Sequence, residues 1–201
     1  MRVLYPEDFY GAISSSGVPE AIIDYWQYWE AIRIYGPKEC IKTTQQFVQL
    51  VDDILLINQH KPKLAALLKK TFGFDILTPN EEFAAIITTI GVGRWQSRNW
   101  DPKVNSPVFD QYCTNITSNT LLYPGTIKQR RRLEYLIDMS TPLIDDKDIL
   151  VNRTLNWIGY LTESFKQPCD FTIDACYLPQ EKSFWEQSDR DSWVWRSWTW
   201  Q

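Results

Sequence analysis

Histidine is almost missing from this sequence: His60 is the only one among 201 residues. It sits in the polar stretch Asn58-Gln59-His60-Lys61-Pro62, which reads as an exposed helix–helix turn. With no Ser or Cys oriented beside it, it makes no nucleophile–base pair. The four cysteines, Cys40, Cys113, Cys169 and Cys176, contain no Cys-x-x-Cys pair, so no metal site is expected. No cofactor site is expected either: after Gly91-x-Gly93 the third position of a dinucleotide fingerprint is Gln96 rather than Gly. Excess charge is also lacking. A net charge of -4 and a pI near 5.1 argue against nucleic acid or an anionic membrane as partner. No apolar run approaches the ~20 residues that span a bilayer. The opening Met1-Arg2-Val3-Leu4-Tyr5-Pro6 has no apolar core of a leader, so this chain is expected to carry no signal peptide. Internal repeats and low-complexity segments are absent as well.

What is present is the composition of a folded protein, 44% hydrophobic and 23% charged. Ten Trp, ten Tyr and nine Phe supply material for a large core or pocket. The length fits one domain, or one domain with part of another. Two glycosylation sequons, Asn115-Ile116-Thr117 and Asn152-Arg153-Thr154, together with the cysteines, point to a secreted type of chain. Secretory features without an export signal lead to the expectation that sequence is missing upstream.

Hydrophobic periodicity organises the chain. Phe9-Tyr10-Gly11-Ala12-Ile13, closed by Ser14-Ser15-Ser16-Gly17, predicts one buried strand ending in a loop. Helices follow. Pro19 suits a first helical position, with Ile22, Tyr25, Trp26 and Trp29 on one stripe and Gly36 as the stop. Pro37 opens a second helix, with Phe47, Val48, Val51, Ile54 and Leu55 on its face. A third begins near Lys61, with Leu64, Leu67, Leu68 and Phe72. Thr78, Pro79 and Glu81 form a capping box before Phe83, Ile86, Ile87 and Ile90. Further helices are predicted at 104–119, 126–138 and 148–165, a loop at 166–182, and a Trp-dense run at 192–201. A lone strand cannot make a sheet, so both ends read as edges of a larger domain around a helical unit.

Several stretches carry a family resemblance. Tyr5-Pro6-Glu7-Asp8-Phe9-Tyr10-Gly11-Ala12-Ile13-Ser14-Ser15-Ser16-Gly17-Val18, followed by Ile22 to Glu30 and Gly36-Pro37-Lys38-Glu39-Cys40, resembles serine peptidases of the prolyl carboxypeptidase family. That family includes dipeptidyl peptidase II and fungal secreted prolyl endopeptidases. Trp193 to Gln201 resembles the stretch just before a Cys-Thr-Glu motif in the same family. The resemblance implies a mostly α chain: a helical cap inserted in an α/β-hydrolase fold, with only edge pieces of the hydrolase domain. Residues 1–17 are then a hydrolase remnant, 18–185 the cap and 186–201 the return segment. It implies a parent that is secreted, vacuolar or lysosomal and takes proline-containing peptides.

The chemistry of that family needs a Gly-x-Ser-Tyr-Gly-Gly elbow, whose strained turn lifts the Ser Oγ clear of a sheet. No such motif occurs in these 201 residues. The resemblance places the elbow before Met1 and the Asp and His of the triad after Gln201, so no residue inherits a catalytic role. Ser14, Ser15 and Ser16 read as a strand exit, Lys128 to Arg132 as a solvated helix face, and Asp145, Asp146 and Asp148 as the approach to a helix start. A substrate proline is an apolar ring without an N–H, discriminated by shape and stacking. Trp26, Trp29, Trp198 and Trp200 are the candidates for that contact. Cys169 and Cys176 are spaced for a local bridge. Cys40 and Cys113 can pair, while the resemblance offers Cys40 another partner beyond Gln201. The competing reading is a non-catalytic helical module that binds peptides or a partner through its aromatic surface.

Overall fold

The computed structural model describes residues 4–8, 10–11, 26–75, 80, 83–84, 87, 101, 103–105, 107–140 and 146–164. Backbone proximity divides the chain into two units, Trp29–Gln180, and Met1–Tyr28 with Glu181–Gln201. The described residues lie almost wholly in the first, and they are mostly helical, with no strand among them.

Helix α1 spans Gln27–Tyr35 and buries Ile32. Arg33 grips Glu30 on its solvent side with Nε and Nη2 at 2.6 and 2.5 Å. Being exposed, that pair contributes little stability. Helix α2, Lys38–Asp52, runs on into a wider π turn at Asp53–Ile57. Asn58 closes this turn by donating its backbone and side-chain N–H groups to the Asp53 carbonyl, at 2.9 and 2.8 Å. Ile54 and Leu55 remain buried there, while Leu56 and Ile57 are turned to solvent.

Helix α3, Pro62–Phe72, starts with Pro in its first turn and ends on Gly73 at φ 81°. Left-handed backbone suits Gly, and the Phe74 N–H reaches the Lys69 carbonyl at 2.8 Å, which satisfies the last turn. Leu64, Leu68, Phe72 and Phe74 are buried. After a turn at 101–105 comes α4, Val108–Thr117. A 3-10 segment, Pro124–Gln129, leads into α5, Arg130–Met139. Helix α6 spans Lys147–Ser164 and is capped where the Ile149 N–H donates to Asp146 Oδ1 at 3.1 Å.

The amphipathic faces meet around α6. It packs on α2, α4, α5 and the 3-10 segment; α4 packs on α2, and α3 on α5 and the π turn. A row of aromatic rings fills the centre. Trp157 stacks on Phe47 at 4.5 Å and meets Phe72 edge-on at 5.2 Å, and Phe72 meets Phe83 edge-on at 5.5 Å. The disulfide Cys40–Cys113 ties α2 to α4 across a sequence separation of 73.

Several expectations shift. Val48 is 43% exposed, because it lies a third of a turn from Phe47 and falls outside the buried stripe. The helix expected at 104–119 begins only at Val108. Asp101 holds Lys103, Val104 and Asn105 in a turn, and Pro107 disfavours helical backbone before it. The basic run is not merely solvated. Arg130 bonds Glu134 at 3.1 Å, Asp148 at 3.4 Å and Asn152 at 2.6 Å, so it joins α5 to α6. At the start of the chain, Asp8 closes a turn on Tyr5 and Tyr10 is fully exposed in a bend. The rest of the expected strand lies outside the described residues, as do the capping box at Thr78, Pro79 and Glu81, the 166–182 loop and the Trp-dense end.

Candidate functional site

The loop between α4 and α5 is held by three polar side chains of α6. Asn156 is fully buried. Its Oδ1 accepts the Leu122 N–H at 2.7 Å, and its Nδ2 donates to the carbonyls of Ser118 and Thr120 at 3.2 and 2.8 Å. Arg153 donates to Asn119 Oδ1 at 3.0 Å, to Glu39 Oε1 at 2.7 Å and to Thr43 Oγ1 at 3.0 Å. Asn152 donates to the Asn119 carbonyl at 3.0 Å. Replacing Asn156 with Leu keeps the volume but strands a buried N–H and two carbonyls. The expected loss is about 3 kcal/mol, read as a lower urea midpoint at unchanged slope.

So anchored, the loop lays the Tyr123 ring against α6 where Gly159 leaves room. A Cβ at Gly159 would stand 2.2 Å from Tyr123 Cγ. Ala in place of a mid-helix Gly ordinarily stabilises by about 1 kcal/mol. Here Gly159→Ala is expected to destabilise, by about 1–3 kcal/mol, because the ring must leave its seat. Thermal unfolding of the variant gives the sign directly.

Tyr123 thereby walls an open groove of about 420 Å³ with Gln111 and Asn115 of α4 and Tyr160 and Glu163 of α6. The Tyr123 hydroxyl donates to Asn115 Oδ1 at 2.9 Å, and Asn115 Nδ2 donates to the Gln111 carbonyl at 2.8 Å. Partial burial raises the Tyr123 pKa, with Glu163 and Tyr160 adding to it. The phenol therefore stays protonated as a donor. Tyr160 lies edge-on to Tyr112 at 5.7 Å. The Tyr112 hydroxyl is within 2.8 Å of Thr44 Oγ1, and burial pushes its pKa up strongly. Two phenols, two amides and one carboxyl group line the groove and can bind a polar ligand; no pair of them forms a nucleophile with its base.

The candidate residues read from sequence fall in different places. Trp26 and Trp29 are 57% and 43% exposed and do not line the groove. Trp198, Trp200, Cys169 and Cys176 lie outside the described residues, as do Ser14, Ser15 and Ser16. Asn115 lies in the groove wall and Asn152 in the loop clamp. His60 stands exposed in the turn after the π segment. Among the described residues no three His, Cys, Asp or Glu side chains converge as a metal site, and no helix is long and apolar enough to cross a membrane. Sequence reading missed Tyr123, Asn156, Gly159 and Tyr160. A signal existed for Asn156, an amide set in the otherwise apolar stripe of Leu155, Trp157 and Ile158.

The described residues define a disulfide-linked helical unit with a groove walled by aromatic and polar side chains. Along its whole length the chain is 39% identical, over 204 aligned residues, to a probable extracellular serine carboxypeptidase of Arthroderma benhamiae. It spans only 28% of that relative's length. No protein-family model matches the chain, and no solved structure matches it.

Proposed function

We propose that this chain is the helical, non-catalytic cap of a secreted serine peptidase that cleaves peptide bonds next to proline. The observation that carries the reading is the similarity of the whole chain to under a third of a probable extracellular serine carboxypeptidase. Helical packing without a strand among the described residues, and a groove without a nucleophile, agree with a cap. On this reading 18–185 is the cap, 1–17 and 186–201 are the strips leading to the catalytic domain, and that domain holds the Ser, Asp and His. The affinity for proline-containing peptides falls to Trp26, Trp29, Trp198 and Trp200. Trp26 and Trp29 are both partly exposed, which supports the reading, since a substrate ring stacks on an accessible aromatic face.

The test is hydrolysis of a proline-containing chromogenic peptide. The full-length protein is expected to turn it over and to stop on treatment with a serine-directed reagent, while the 201-residue chain alone shows no turnover. Reagent-sensitive turnover by the chain alone would overturn the cap assignment, and an inert full-length protein would overturn the peptidase. The exposed rings also suit a peptide-binding module. Saturable binding of a proline-rich peptide, with no turnover by the full-length protein, is the result that favours it.

A further inference from the structure

The sequon at Asn115 has a structural setting that the peptidase reading does not use. Its side chain forms one wall of the groove shared with Gln111, Tyr123, Tyr160 and Glu163. Two aromatic rings beside amide and carboxylate groups are what a sugar needs. The C–H faces of a pyranose lie on aromatic rings, and its hydroxyls and acetamido group take hydrogen bonds from the polar rim. The groove is open to solvent and, at about 420 Å³, falls within the range of small-ligand sites. The Asn115 amide keeps one N–H for the Gln111 carbonyl, 2.8 Å away, after the other has been replaced. The Asn152 amide is likewise held at both ends, by Arg130 Nη2 at 2.6 Å and the Asn119 carbonyl at 3.0 Å, but it lies in the clamp that fixes the loop and is not among the residues that wall this groove.

We propose that Asn115 is N-glycosylated and that the first sugar lies in this groove against Tyr123 and Tyr160, joining α4 to α6. The proposal rests on the secretory route argued above, which supplies the donor, an oligosaccharide on a polyprenyl diphosphate. Transfer forms a bond from Asn115 Nδ2 to the sugar C1. The C1–O bond to the diphosphate breaks, the carrier leaves with the bonding pair, and the amide loses one proton. Because the sugar reaches the nascent chain before it folds, the groove then receives a group already attached. The glycan acts as a covalently delivered ligand, bound at high effective concentration.

The experiment uses the full-length protein secreted from a yeast host. Peptide mass spectrometry, before and after cleavage of the sugar–asparagine bond, is expected to show Asn115 occupied in most molecules. Trimming the glycan to its first sugar should leave Tm unchanged. Removing that sugar, or making Asn115→Gln, should lower Tm by about 2–4 °C. Tyr160→Ala should lower Tm in the glycosylated protein and much less in the Asn115→Gln background. An unmodified Asn115, or equal Tm for the trimmed and the sugar-free protein, overturns the proposal. Peptidase activity measured on the same samples separates the two readings. Active protein with a bare Asn115 defeats only this one; inactive protein with a sugar in the groove defeats only the peptidase.

Discussion

Trp157→Ala lowers stability by about 3–5 kcal/mol, a large part of what a domain of this size has to lose. The indole is 1% exposed. It lies parallel to Phe47 at an interplanar angle of 7° and perpendicular to Phe72 at 85°, so from α6 it touches rings of both α2 and α3. Truncation removes its own transfer free energy, leaves a cavity and takes the packing partner from two further rings. Trp157→Phe keeps a ring on Phe47 and should cost clearly less. Urea unfolding followed by circular dichroism, rather than by tryptophan emission, distinguishes the two variants. A loss below about 1 kcal/mol for Trp157→Ala would mean that the ring row is not the centre of the fold.

Replacing both Cys40 and Cys113 by Ala removes a link closing 73 residues of chain. Loop-closure entropy for that length is worth about 4 kcal/mol near 25 °C. Cys40 is 1% and Cys113 8% exposed, so the sulfurs also fill space between α2 and α4. The expected result is a loss of about 3–4 kcal/mol, matched when the parent protein is unfolded in the presence of a strong thiol reductant. An unchanged midpoint in both experiments would show that the link does not constrain the unfolded chain. The bridge and Trp157 both act on α2, the one through Cys40 and the other through Phe47, so the two losses should not add simply.

Much of the fold was legible because apolar spacing of three and four residues is a strong signal. Phe47, Val51, Ile54 and Leu55 were read as one face and are buried together, as are Leu64, Leu68 and Phe72. The widening of α2 at Asp53–Ile57 was not legible. A π turn keeps helix-compatible residues and changes only which carbonyl each N–H meets. The split of the helix expected at 126–138 into a 3-10 turn and α5 was hidden for the same reason. Arg130 looked solvated because its partners Asp148 and Asn152 are distant in sequence and arrive only when α6 packs.

The groove was far less legible than the core. Tyr123 and Tyr160 are 37 positions apart, and no spacing rule joins them. Gly159 reads as a weak point in a helix until Tyr123 is seen lying on it. Asn156 reads as a poor helix former until its three hydrogen bonds appear. Asn115 was legible as a sequon, but its place in a wall of tyrosines depends on how α4 and α6 pack.

The most direct measurement is to label the full-length secreted protein with a fluorophosphonate probe and map the modified serine by peptide mass spectrometry. The expected result is one labelled serine in a Gly-x-Ser-x-Gly frame, outside these 201 residues, with proline-peptide hydrolysis lost as label is gained. A labelled serine inside these residues, or full activity with no serine labelled, would contradict the assignment of this chain as the cap of a serine peptidase.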